Sequence, residues 1–231
     1  MERDAMTSRD AILSRIRSLL AQEPPREEPP VPEVWPRENP DAARMADRFA
    51  AELQEIHGET IRCRSMDEAR ARLKELLDRE QWTALGAPDR PLCREVTSGL
   101  EPGRVYWARP DWAPPSMAEL PAGLIEAECL LADTGTAMIA CNTPEERLLC
   151  YLPPACIVVA TADRLVEHLP AAWPEIARRA ADPERRGEFV FITGPSRTAD
   201  IEKILILGVH GPKRLIVVVI GDAGRGMRDE G

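Results

Sequence analysis

The sequence predicts an α/β protein: a three-layer α/β/α sandwich on a mainly parallel sheet, preceded by a helical extension. Three observations carry that prediction. Residues 156–160 and 215–220 are continuous apolar runs, as expected of strands covered on both faces. Segments of helical period alternate with such runs along the chain, the pattern of helices packed on a sheet. No internal repeat is visible, which removes solenoids and propellers.

The elements follow in order. Ser8 caps a short amphipathic helix with Ile12, Leu13, Ile16, Leu19 and Leu20 on one side, ending before Pro24. Residues 22–40 contain seven prolines with charges between them, the composition of an extended, semi-rigid linker. The tethered helix docks either on its own domain or on a neighbouring subunit. Asn39 and Pro40 open the core domain as cap and first helical residue, with Met45, Phe49, Leu53 and Ile56 on the buried face. Ser65 and Glu68 form a capping box before a helix through Ala69, Leu73, Leu76 and Leu77. Strands are predicted at residues 82–85 and 105–108, and a loop at 110–121. Strands at 127–131 and 137–141 flank the turn Asp133, Thr134, Gly135, Thr136. Thr143, Pro144 and Glu146 give another capping box, and residues 156–160 a buried strand. Residues 163–169 and 175–181 read as helical pieces interrupted by Pro170 and Pro174.

The C-terminal stretch reads as strand, loop, helix, strand. Residues 190–193 form the first strand, and Gly194 and Pro195 break it. Ser196 or Thr198 caps a helix whose face is Ile201, Ile204, Leu205 and Gly208, and residues 215–220 form the last strand. The domain division is therefore 1–38 for helix and linker, 39–222 for the α/β domain and 223–231 for a flexible tail.

Composition narrows the function classes. The 231 residues carry a net charge of −9, from 30 basic and 39 acidic side chains. An acidic balance lacks the basic footprint of nucleic-acid binding. No apolar run approaches the ~20 residues of a membrane span, and the N-terminus has no apolar leader core. A cytoplasmic protein without membrane insertion is expected. The cysteines at 63, 93, 129, 141, 150 and 156 form no CxxC pair. They read as reduced, partly buried thiols acting as small hydrophobes, the alternative being an iron–sulfur cluster that would need clustered thiolates. No metal or other cofactor is expected in this chain.

Two loops carry candidate chemistry. In the Asp133 to Thr136 turn, Gly135 permits a positive φ, and the hydroxyls of Thr134 and Thr136 can donate to an anion. Asp133 is a candidate catalytic base or nucleophile, or else an Asp bonding its own turn amides. In the second loop, Thr193, Gly194, Ser196, Arg197 and Thr198 are candidate ligand-binding residues. A helix N-terminus there would favour an anion, and Arg197 could grip a carboxylate in bidentate fashion. Asp200 and Glu202 oppose this, since they would occupy the same dipole and could pair with Arg197. Both loops follow strand-like runs, so they are expected to meet at the carboxyl edge of the sheet. His210 reads as a partner for the last carbonyls of the preceding helix; His57 and His168 read as helix-end residues too.

Residues 193–202 together with 208–212 resemble the signature of the LUD-domain family. The Asp133 to Thr136 turn followed by Leu152 and Pro153, and the opening helix at 8–13, resemble further parts of that family. The resemblance implies a fold like that of ribose-5-phosphate isomerase and the CoA-transferases. It implies a role in bacterial L-lactate oxidation to pyruvate as a non-redox accessory subunit beside iron–sulfur partner subunits, with a small carboxylate as ligand and a homo-oligomer left open. The alternative is an independent isomerase or CoA-transferase-like enzyme binding an anionic small molecule.

Overall fold

The computed structural model describes residues 8–22, 38–182, 187–198, 206–207 and 211–221. The chain divides into two units, Met1–Pro36 and Arg37–Gly231. In the first, helix α1 (Ser8–Leu20) has no buried residue, and Ile12, Ile16, Leu19 and Leu20 are exposed.

The second unit begins with α2 (Ala42–Glu55), capped by Asp41, whose side chain accepts from the Arg44 N–H. The cap thus falls two residues beyond the expected Asn39. Strand β1 (Glu59–Cys63) follows, then α3 (Met66–Arg79), where the predicted capping box forms. Ser65 Oγ accepts from the Glu68 N–H, and the Glu68 carboxylate accepts from the Arg64 N–H. Next come β2 (Leu85–Ala87), α4 (Pro91–Thr97), β3 (Val105–Trp107), α5 (Pro114–Ala118) and β4 (Ala122–Glu126). They are followed by β5 (Cys129–Leu131), β6 (Thr136–Cys141), α6 (Pro144–Leu149) and β7 (Ala155–Thr161). A 3-10 turn (Ala162–Arg164) leads to β8 (Leu165–Val166), α7 (Leu169–Ala181), β9 (Glu188–Ile192), β10 (Arg197–Thr198), β11 (Ile206–Leu207) and β12 (Arg214–Ile220).

The central sheet has six strands in the order β1-β12-β7-β4-β2-β3, every pair parallel. Its two faces are separated by strand alternation. Ile216, Val218 and Ile220 of β12 pack with Leu73, Leu76 and Leu77 of α3 and with Cys93 and Val96 of α4. Leu215, Val217 and Val219 face Phe49 and Leu53 of α2, Met117 of α5 and Leu149 of α6. This is the expected helix–sheet–helix sandwich. One face also carries a second sheet, β8-β5-β6-β9, whose Leu130, Ala137 and Ile139 join the same core. Its outer face, Cys129, Leu131 and Met138, is covered by Ala172 and Ile176 of α7.

Four expectations are corrected by this architecture. The segment read as a loop at 110–121 contains α5, and β4 follows it as a full member of the central sheet. Gly123 explains how β4 fits: a Cβ there would stand 2.5 Å from the Leu149 carbonyl oxygen, so only glycine lets α6 lie this close. The first of the two pieces read as helical at 163–169 holds a 3-10 turn and then β8. The second is one helix from Leu169 that runs through Pro174, because the apolar face of α7 is held on the small sheet. The last correction is the C-terminal unit. β9 pairs antiparallel with β6 in the small sheet, and Arg197–Thr198 pairs antiparallel with Ile206–Leu207. Both ends of the segment expected to be a helix are therefore extended; residues 199–205, including most of its predicted face, lie outside the described residues.

Candidate functional site

Three strands of the central sheet deliver charged residues to one edge. Arg90 follows β2 as the N-cap residue of α4, Glu126 closes β4, and Arg164 follows β7. These are carboxyl ends of parallel strands, where ligand crevices form in such sheets. Glu128, Asn142 after β6, and Arg179 of α7 close the wall. Together these six line a cavity of about 610 Å³.

Glu128 is the electrostatic centre and is only 8% exposed. Its carboxylate accepts from Arg179 Nη1 at 2.9 Å, Arg164 Nη1 at 3.2 Å and Arg90 Nη1 at 3.4 Å. Arg90 is also bound in fork fashion by Glu146, at 3.2 and 2.7 Å, and donates to the Ala140 carbonyl. Arg179 Nη2 donates to Asn142 Oδ1 at 2.8 Å. Such buried charges persist only when paired on several sides.

Glu126 differs from Glu128. Its Oε2 is buried with no hydrogen-bond partner among the described residues. Burial raises its pKa above the ordinary carboxylate value, and Arg90 and Arg164 pull only partly against this. The cavity therefore holds one carboxyl committed to arginines and one with an acceptor unused.

The two loops singled out by sequence do meet, but elsewhere. Thr136 Oγ1 lies 2.8 Å from Thr134 Oγ1 and 2.8 Å from Thr193 Oγ1, a short chain of hydroxyls. Gly135 has φ +62 and presses on α2, where an added Cβ would stand 2.5 Å from the Leu53 nitrogen. Gly194 packs against Ile56, just past α2. The Ser196 N–H donates to the Pro212 carbonyl, and the Lys213 N–H to the Pro154 carbonyl, each at 2.8 Å. Pro212 and Pro154 precede β12 and β7, so Ser196 stands at the amino edge of the central sheet. The expected meeting at the carboxyl edge is thus corrected. The Asp133 turn is a hairpin turn of the antiparallel sheet, and the rule for parallel strands does not govern it. Strand β6 runs from Thr136 to Cys141, so roughly 20 Å separates Thr136 from Asn142 on the cavity wall.

Asp133 donates its N–H to the Glu167 carbonyl, and its Oδ1 is buried without a partner among the described residues. Arg197 and Thr198 contribute backbone to β10. His210 lies outside the described residues. His168 caps α7 at its N-terminal end, Nδ1 accepting from the Ala171 N–H at 3.2 Å, and His57 follows α2 with φ +67. Sequence reasoning did not single out Arg90, Glu126, Glu128, Arg164 and Arg179. The available signal was a charged residue directly after each apolar run; what hid it was the unrecognised β4.

The six cysteines are all buried. Burial pushes the thiols of Cys63 and Cys129 up to about 11 and that of Cys156 to about 12. Cys141 and Cys150 hydrogen-bond each other, which lowers the former and raises the latter. Among the described residues, no group of three or more His, Cys, Asp or Glu is placed to hold a metal ion. Among them, too, no helix is long and apolar enough to cross a membrane.

Residues 112–220 match the LUD domain family. The chain is 35% identical over 101 residues to lactate utilization protein C of Halalkalibacterium halodurans, covering 43% of this chain and 44% of that protein. It is 33% identical over 100 residues to lactate utilization protein C of Bacillus pumilus, covering 43% and 42%. The matched stretch is thus less than half the length of these relatives. Among solved structures, a DUF162 family protein from Deinococcus radiodurans superposes with a TM-score of 0.58 at 17% identity, covering 79% of this chain and 99% of that one, which establishes the likeness of fold. The stretch similar to the LUD domain family, Trp112 through Ile220, spans β4, the small sheet and β12.

Proposed function

We propose that this protein serves in L-lactate utilization as a non-redox accessory subunit acting with iron–sulfur partner subunits, and that its carboxyl-edge cavity binds a small carboxylate. The observation that carries the reading is the position of that cavity. Apart from Arg90 and Pro91, its lining falls within residues 112–220, the stretch that matches the LUD family. The assignment of electron transfer to partners is supported by the thiols: they are buried and, Cys141 apart, held protonated, the reverse of what cluster ligation needs. Deleting the gene in its native host should abolish growth on L-lactate, with recovery on complementation. A tagged chain should retain cysteine-rich iron–sulfur proteins on purification. Undiminished growth on L-lactate would overturn the reading.

One observation favours a second reading, an independent enzyme of isomerase or CoA-transferase type. Glu126, a buried carboxyl with a raised pKa in a cavity, has the properties of a general acid–base group. Turnover of a sugar phosphate or an acyl-CoA by the purified chain would select this reading.

A further inference from the structure

We propose that Glu126 and Arg164 act as a recognition pair in the carboxyl-edge cavity, selecting carboxylates that carry a hydroxyl or ammonium on the neighbouring carbon. The proposal rests on reading that cavity as the ligand site, and it adds which two side chains read the ligand and what they read.

Most of the arginines in the cavity are already committed to partners. Arg90 is held by Glu146, Glu128 and the Ala140 carbonyl. Arg179 is held by Glu128 and Asn142, and Arg178 pairs with Glu175 through two hydrogen bonds. Arg164 engages Glu128 through Nη1 alone, at 3.2 Å to the carboxylate and 3.3 Å to the backbone carbonyl. Its side chain is 37% exposed, and among the described residues Nη2 and Nε have no partner, so two donors remain for an incoming carboxylate. On the acceptor side, the three arginines use Glu128 on both oxygens, whereas Glu126 Oε2 is buried and unpartnered. A buried acceptor without a donor is costly, and a ligand hydroxyl or ammonium removes that cost. A ligand carbonyl or methylene in the same place does not.

The test uses the full-length protein and four ligands of nearly equal size that differ at one carbon: L-lactate, L-alanine, pyruvate and propionate. Isothermal titration should show lactate or alanine binding at least about tenfold tighter than propionate and pyruvate, the scale of one hydrogen bond to a charged group. Arg164→Ala should weaken all four alike. Glu126→Met should leave carboxylate binding in place and abolish the preference for donors. Glu126→Gln, a milder change that keeps an acceptor oxygen, should lose the preference for alanine first; it serves if the Met variant does not fold. Equal affinity of the wild type for all four, no binding of any, or a preference that survives Glu126→Met would overturn the pair. Loss of lactate growth on gene deletion with no discrimination in vitro would sink the pair alone. Discrimination in vitro with unimpaired lactate growth would sink the lactate role and leave the pair standing.

Discussion

Thr136 and Thr193 share a hydroxyl–hydroxyl hydrogen bond of 2.8 Å although 57 residues separate them. The antiparallel pairing of β6 with β9, which sets Ala137 opposite Ile192, brings them together. The bond fastens the hairpin turn at Gly135 to the end of β9 beneath α2. Thr136 is buried, while Thr134 and Thr193 are exposed, so the middle hydroxyl depends on its two neighbours. Thr136→Val keeps the shape and removes that hydroxyl. It should cost about 1 kcal/mol, the net value of an ordinary hydrogen bond, in a denaturant titration. Thr193→Val should cost less than Thr136→Val, since water can replace a partner at the surface.

Gly135 tolerates no side chain on two counts, its positive φ and the backbone of α2 at 2.5 Å from any Cβ. Gly135→Ala should destabilise the protein by about 2 kcal/mol or more, the combined scale of left-handed strain and a backbone clash. A thermal melt unchanged from wild type would contradict the close packing of turn and helix.

Glu128 accepts hydrogen bonds from three arginines at once. Glu128→Ala leaves them facing one another in a buried site and should cost about 3–5 kcal/mol. The loss should show as a large fall in unfolding midpoint. Substituting exposed Asp163, on the same cavity rim, should shift the midpoint little.

Glu126 gives a pH signature of definite sign. Its folded pKa lies above the ordinary value of 4.5, so the folded state holds the proton more tightly than the unfolded state. Its contribution to stability is fully present below about 4.5, and is lost as pH rises from there through the folded pKa. Glu126→Gln should therefore stabilise the protein at pH 7 relative to wild type, with the difference vanishing in acid. Unfolding titrations at pH 4 and pH 7 decide this, and a larger gain at the lower pH would contradict it.

All six cysteines are buried, so a thiol reagent should label the native protein slowly and all six sites after unfolding. Rapid labelling of several thiols without denaturant would contradict the core described above.

Sequence alone determined the α/β class, the strands β7 and β12 and the helices α2 and α3. In each, the signal is local: an apolar run too continuous for a surface strand, a period of 3.6, or a cap residue three positions before its partner. It also showed that Thr134, Thr136, Thr193 and Ser196 belong to two polar turns, and those turns do come together. What only the tertiary structure decided was where. The apolar alternation of β6 and β9 is the same whether they join the parallel sheet or a second, antiparallel one, because strand period carries no partner or direction. That choice moved the hydroxyl turns to the amino side and left the carboxyl edge to Arg90, Glu126, Glu128, Arg164 and Arg179. These come from positions up to 89 residues apart and look like ordinary surface charges one by one. Their meaning lies in mutual burial, which depends on the order β7-β4-β2 across the sheet and on α7 closing over its end.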